Sequence, residues 1–216
     1  MQRTLAYAKG HQEFKNLFFK ENEETFIRLV EKGQSPKTLF IGCSDSRVIP
    51  ELISSFGPGE LFVIRTAGNF VPYEDPSILW DGVAATIQYA VEVLGVSDVI
   101  VCGHSHCGAI EGLFKEIKMK TLANWLRFGH EAKLTTLEAL GSQAEDATKY
   151  GVAERVSVLY QLDHLMTYPY VKEKVNQNKL NLHGWHFTIE TGTIEYYDPE
   201  NSKFLPLKSV LEKAKT

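Results

Sequence analysis

Asp98-Val99-Ile100-Val101-Cys102-Gly103-His104-Ser105-His106-Cys107-Gly108 is the stretch whose reading decides the fold. Val99 to Cys102 is apolar at every position, which suits a strand covered on both faces in the middle of a parallel sheet. Ala109-Ile110-Glu111-Gly112-Leu113-Phe114 then reads as the start of a helix. His104 and Cys107 therefore sit in the turn where a strand ends. A second stretch, about sixty residues earlier, has the same form: apolar Thr38-Leu39-Phe40-Ile41-Gly42 runs into Cys43-Ser44-Asp45-Ser46-Arg47. Two strand ends thus offer Cys, Asp, Arg, His and Cys. In open α/β sheets, ligands bind beyond the carboxyl ends of the strands, where the strand order reverses. Both motifs meet at such a point if the Thr38 strand has the Asp98 strand on one side and a Glu60–Arg65 strand on the other. Spacing alone leaves that order open.

Working outward, residues 3–32 read as helical, with apolar stripes at Leu5, Ala8, Phe14, Leu17, Phe18 and at Phe26, Ile27, Leu29, Val30. A break is expected near Glu21-Asn22, and Gly33 with Pro36 ends the segment. Such an arm must bury its apolar face on its own core or on a partner subunit. Gly57-Pro58-Gly59 marks a turn before the second strand. Helices are expected over 77–94, 107–117, 120–139 (Trp125, Leu126 and Leu134 inward), 147–166 and on to Gln177. Leu182–Ile189 and Thr193–Tyr197 alternate as a hairpin about Thr191-Gly192. The pattern predicts an α/β fold: a mainly parallel central sheet flanked by helices, with an N-terminal helical arm (1–33) and a C-terminal hairpin. No linker or repeat divides it, so residues 1–216 are expected to form one domain, with 34–216 as the α/β core.

The formal charge of -4 argues against nucleic acid or an anionic membrane as partner. No apolar run is long enough to cross a bilayer, and the first residues lack a signal-peptide pattern, so a cytoplasmic location is expected. Three cysteines do not suggest a disulfide framework. Metal binding or nucleophilic chemistry is the better question for two of them.

Cys43, His104 and Cys107 supply thiolate and imidazole, the ligands that zinc prefers. Three protein ligands with a fourth position open is the catalytic pattern, with Asp45, His106 or water nearby for that position. Alternation places Cys43, Asp45 and Arg47 on one side of an extended segment. Asp45 could ligate the metal or accept a hydrogen bond from metal-bound hydroxide, and Arg47 could hold it ionised by a two-pronged pair. Zinc lowers the pKa of bound water toward ~7. The residues therefore point to metal-assisted addition of water to a small electrophile, which they do not name. Cys102 reads as a small buried hydrophobe. His106 suits a rim position, and His164, His183 and His186 suit structural ones.

Together, Cys43-Ser44-Asp45-Ser46-Arg47 and Gly103-His104-Ser105-His106-Cys107-Gly108 resemble the β-class carbonic anhydrases. The resemblance extends over Glu60–Arg65, Ala67-Gly68-Asn69, Gln88–Val91 and His183-Gly184-Trp185. It implies reversible hydration of carbon dioxide to bicarbonate and a proton, with one Zn2+ per chain on Cys43, His104 and Cys107. It makes Asp45 and Arg47 a dyad in which Arg47 keeps Asp45 off the metal and Asp45 orients the hydroxide. In one subgroup a Gln nine residues before the first Cys binds substrate oxygen across a subunit interface; Gln34 matches it. Phe62, Tyr89 and Gly108 match the remaining substrate-pocket positions, although Phe62 and Tyr89 would otherwise read as plain core residues. The other subgroup closes its site through a bicarbonate pocket of Trp, Arg and Tyr. Here those positions hold Phe40, Arg65 and Phe187, which favours the open-site subgroup. A homodimer or homotetramer is implied. Carbonyl sulfide or carbon disulfide hydrolysis is an alternative on the same ligands. A non-catalytic zinc-stabilised protein would want a fourth Cys or His, and a redox protein would want Cys-x-x-Cys.

Overall fold

In the computed structural model, described for residues 2–78 and 81–213, a six-stranded sheet runs in the order β2-β1-β3-β4-β5-β6. The strands are β1 Thr38–Cys43, β2 Leu61–Thr66, β3 Asp98–His104, β4 Asn181–Thr188, β5 Thr193–Asp198 and β6 Lys203–Pro206. The first four are parallel, and β5 and β6 add antiparallel at one edge. β1 lies between β2 and β3, so the order reverses there. The ends of β1 and β3 are adjacent, with Gly42 opposite Cys102.

The helices are α1 Gln2–Phe14, α2 Lys20–Lys32, α3 Pro50–Ser54, α4 Gly82–Gln88, α5 Gly108–Leu113, α6 Lys120–Leu126, α7 His130–Leu140, α8 Asp146–Leu165, α9 Pro169–Asn176 and α10 Ser209–Lys213. Strand residues alternate between two cores, as a period of two requires. Leu39, Ile41, Val99 and Val101 pack with Ile87, Val91, Val158, Leu165 and Tyr168 on one face. Phe40, Ile100 and Cys102 pack with Val48 and Phe187 on the other. Gly103 lets α8 lie close to β3: a Cβ there would meet Val158 Cγ2 at 2.8 Å and the Glu154 carbonyl oxygen at 3.2 Å.

Several local expectations are corrected. The arm does not break at Glu21-Asn22; it continues from α1 to α2 through a π-helical segment, Lys15–Phe19. That wider turn shifts the apolar stripe without ending the helix. Expected helix 77–94 begins at Gly82, where the Asp81 carboxylate caps the Val83 and Ala84 N–H groups, and ends in a π turn over Tyr89–Leu94. Leu79 and Trp80 of that expectation lie outside the described residues. Helix 120–139 is split by a 3-10 turn, Arg127–Gly129, which rotates Leu134 outward. β6 and α10 extend the C-terminal hairpin beyond what the alternation showed. β6 is a short edge strand ending in Pro206, where the missing N–H costs no ladder bond.

Candidate functional site

β1 and β3 carry Cys43 and His104 to adjacent strand ends, and the turn after β3 brings Cys107 back to them. The three ligand atoms lie within 4.8 Å of one another, and all three residues are buried. His104 presses Nδ1 against the Ser105 carbonyl oxygen at 2.8 Å, which fixes the proton on Nδ1. Its Nε2 is buried without a protein partner. Cys43 Sγ accepts the N–H groups of Gly68 at 3.3 Å and Asp45 at 3.4 Å. The Gly68 N–H reaches it because Gly68 takes φ +82, where a side chain would be strained.

The two thiols share one proton. The Cys107 thiol donates to Cys43, and with help from His104 and the two N–H groups it holds Cys43 down to about 4 against the cost of burial. Cys107 is pushed up by the same contact and by burial. Burial disfavours the imidazolium of His104, but the Cys43 thiolate more than offsets it and raises His104. An aimed imidazole lone pair beside two sulfurs that compete for a proton is the donor set a borderline-soft divalent cation takes. Cys43, His104 and Cys107 therefore fit zinc. Among the described residues no fourth His, Cys, Asp or Glu joins this group, so a structural four-ligand site is not formed.

Asp45 turns away from the three ligands onto Arg47. Its Oδ1 accepts from Arg47 N and Nε, each at 2.9 Å, and its Oδ2 accepts from Nη2 at 2.8 Å. Those bonds hold the carboxyl well below the usual range, burial opposing. Arg47 Nη2 also donates to the His106 carbonyl oxygen at 3.0 Å, which ties the two motifs together. Gly108 opens α5 directly after Cys107.

Gln34, Phe62 and Tyr89 are elsewhere. Phe62 stands opposite Leu39, four residues (~13 Å of strand) before Cys43. Its ring meets that of Tyr89 in a tilted pair with centroids 5.8 Å apart. Gln34 is exposed in the loop that enters β1. All three belong to the amino end of the sheet, away from the metal ligands of the same chain.

A family profile described as carbonic anhydrase matches residues 38–194. The chain belongs to the carbonic anhydrase family. A carbonic anhydrase from Pseudomonas aeruginosa is 43% identical over 177 residues, 81% of this chain and 79% of the relative. One from Helicobacter pylori strain J99 is 37% identical over 91% of this chain and 93% of its own. The solved β-carbonic anhydrase CcaA superposes with a TM-score of 0.89 at 36% identity, over 95% of this chain and 92% of that one. A tetrameric β-carbonic anhydrase from Sordaria macrospora superposes at 0.79 with 29% identity, over 90% and 96%. The β class fits the mostly parallel sheet and the Cys-His-Cys group, and the chain is accordingly an enzyme, a carbonic anhydrase.

Sequence reasoning missed three residues that hold this β-carbonic anhydrase site. The resemblance gives Arg65 only as a match to the Arg position of the bicarbonate pocket. Its guanidinium donates to the carbonyl oxygens of Cys43 at 3.0 Å, Asp45 at 2.6 Å and Val48 at 2.7 Å, clamping the loop that carries Asp45 and Arg47. Buried Glu154, on α8, accepts the Cys107 N–H at 3.2 Å and pairs with His186 Nε2 at 3.3 Å. Glu190, after β4, accepts from Ser105 Oγ at 2.6 Å and lies 2.7 Å from His106 Nε2. Ser105 first, then a backbone N–H and His106, bring its carboxyl down to about 2. His164 contacts the Val71 carbonyl oxygen and Glu131, and His183 contacts Asp98. No helix among the described residues is long and apolar enough to cross a membrane.

Proposed function

We propose that this chain hydrates carbon dioxide reversibly to bicarbonate and a proton, with one zinc ion held by Cys43, His104 and Cys107. The observation that carries the reading is the fully engaged Asp45–Arg47 pair beside a three-ligand seat. Zinc, when bound, supplies a nucleophilic oxygen near neutral pH by lowering the pKa of water toward ~7. Arg47 keeps Asp45 ionised, so the carboxylate can only accept. Oδ1 already takes two N–H groups and Oδ2 takes one, which leaves Oδ2 as the freer acceptor. Asp45 Oδ2 would accept a hydrogen bond from the attacking hydroxide, which keeps its proton, and so turn its lone pair toward the carbon. The new C–O bond makes bicarbonate, and the released proton passes to solvent or buffer.

Gln34 would bind a substrate oxygen, with Phe62, Tyr89 and Gly108 lining the pocket. The first three would be given by a second chain, because they stand at the other end of the sheet. The arm supports a homodimer or homotetramer: Leu5, Tyr7, Leu17, Ile27 and Val30 are exposed, and neither α1 nor α2 buries a residue within its own chain. The open-site subgroup is supported by Arg65, whose Nε and Nη2 donate to backbone carbonyls, and by Phe40 and Phe187 packed in the apolar core. A single domain, 1–216, with the arm at 1–33, is supported by the one continuous sheet. Three free cysteines suit the cytoplasm.

Stopped-flow hydration of carbon dioxide at pH 8.5, on protein of verified zinc content, tests this beside Asp45→Asn. The expected loss in kcat is ~10²-fold or more. Full activity in the mutant would remove the dyad. One zinc per chain with no hydration would redirect the reading to carbonyl sulfide as substrate.

A further inference from the structure

The turn from His104 to Cys107 carries two of the three ligand side chains, and it holds a non-glycine residue, His106, at φ +57. Such a conformation persists only where its surroundings impose it. The two residues between the ligands are gripped from the β4–β5 turn. Glu190 takes the Ser105 hydroxyl on Oε2 and the His106 ring on Oε1. Ser105 Oγ in turn accepts the Ile189 N–H at 2.9 Å, and Ser105 N donates to the Phe187 carbonyl oxygen at 2.9 Å. On the far side, the His106 carbonyl oxygen receives Arg47 Nη2, which also holds Asp45 Oδ2. A continuous path of hydrogen bonds therefore runs from Glu190 through His106 and Arg47 to Asp45.

We propose that Glu190 is a positioning residue: by fixing Ser105 and His106 it sets the turn that delivers Cys107 and the carbonyl that holds Arg47 against Asp45. It touches neither substrate nor metal ligand. The inference rests on the dyad reading above. It differs from a purely structural role because the Glu190 side chain is half exposed at a hairpin turn, outside both sheet cores.

The test compares zinc-loaded full-length protein with Glu190→Ala, Glu190→Gln, Arg47→Lys and the Glu190→Ala/Arg47→Lys double variant. Three quantities are read: kcat and KM for carbon dioxide, the rate of zinc transfer to a chromophoric chelator, and the melting curve. Glu190→Ala is expected to lower kcat about tenfold with KM little changed, and to speed zinc transfer by a similar factor, the usual size for outer-shell partners of a metal site. Glu190→Gln should recover most of both, since its amide oxygen still accepts from Ser105 and its other end still faces His106. The double variant should be no slower than Arg47→Lys alone, because the two changes break one path. Wild-type kcat and zinc transfer in Glu190→Ala would overturn the proposal. So would losses that multiply in the double variant, or a drop in melting temperature that accounts for the whole effect and is shared by Glu190→Gln. If Asp45→Asn keeps its rate in the same assay, the dyad reading fails instead, and zinc transfer still judges the hold of Glu190 on the turn.

Discussion

At the carboxyl ends of β1 and β3, Cys43, His104 and Cys107 are buried with their ligand atoms within 4.8 Å of one another, and the Gly68 and Asp45 N–H groups reach the Cys43 sulfur. At the amino ends of β1 and β2, Phe62 and Tyr89 form a tilted ring pair, Tyr89 is 44% exposed, and Gln34 stands in an exposed loop. The first region is assembled from one chain and leaves the buried His104 Nε2 without a protein partner. The second presents an amide and two rings to whatever covers them. Ionised and ligating groups need a fixed, low-dielectric frame, and strand ends under helices provide it. Groups that only line a substrate's path can be supplied by another chain.

The contrast breaks first at the metal. His104→Ala should reduce zinc below measurable occupancy and hydration by ~10³-fold or more. Metal analysis beside stopped-flow rates would check both. Arg47→Ala should come next, with kcat lower by ~10²-fold at unchanged zinc content, because Asp45 then loses both side-chain bonds and keeps only the backbone N–H of residue 47. Gln34→Ala sharpens the other side: kcat/KM should fall about tenfold, as for a lost substrate hydrogen bond, with zinc content and melting temperature unchanged. The smallest effect is expected at Cys102→Ala. Burial pushes that thiol up to about 12, and it lies outside the Cys43–His104–Cys107 group. Hydration and zinc should be unaffected, and denaturant unfolding should show a loss of ~1 kcal/mol for the sulfur removed from the core.

The carboxyl-end site was legible because its chemistry is local. Cys43 to Arg47 and His104 to Cys107 each lie within five residues at the end of an apolar run, and the strand order places both runs side by side. Its supports were not legible. Glu154 and Glu190 reach the Cys107 turn from 47 and 85 positions away, and nothing in their local sequence distinguishes them from surface glutamates. Arg65 matched one position of a bicarbonate pocket, and nothing beside it in sequence points to the three carbonyl oxygens it binds. Elements failed where the backbone leaves its regular period: the π segment at Lys15–Phe19 carries the helix through where a break was expected, and the 3-10 turn at Arg127–Gly129 turned Leu134 out. Phe62 and Tyr89 carry no signal that separates a pocket wall from core.

The claim that the two ends of the sheet meet only between chains is tested most directly by subunit complementation. His104→Ala breaks the carboxyl end and Gln34→Ala impairs the amino end. Chains carrying one change each, unfolded and reassembled together at equal amounts with zinc, form some oligomers in which an intact carboxyl end faces an intact amino end. The account predicts hydration several-fold above the mean of the two parents treated alike. Activity equal to that mean, in oligomers shown to contain both chains, would mean that Gln34 serves its own chain's metal site, and the division drawn here would be wrong.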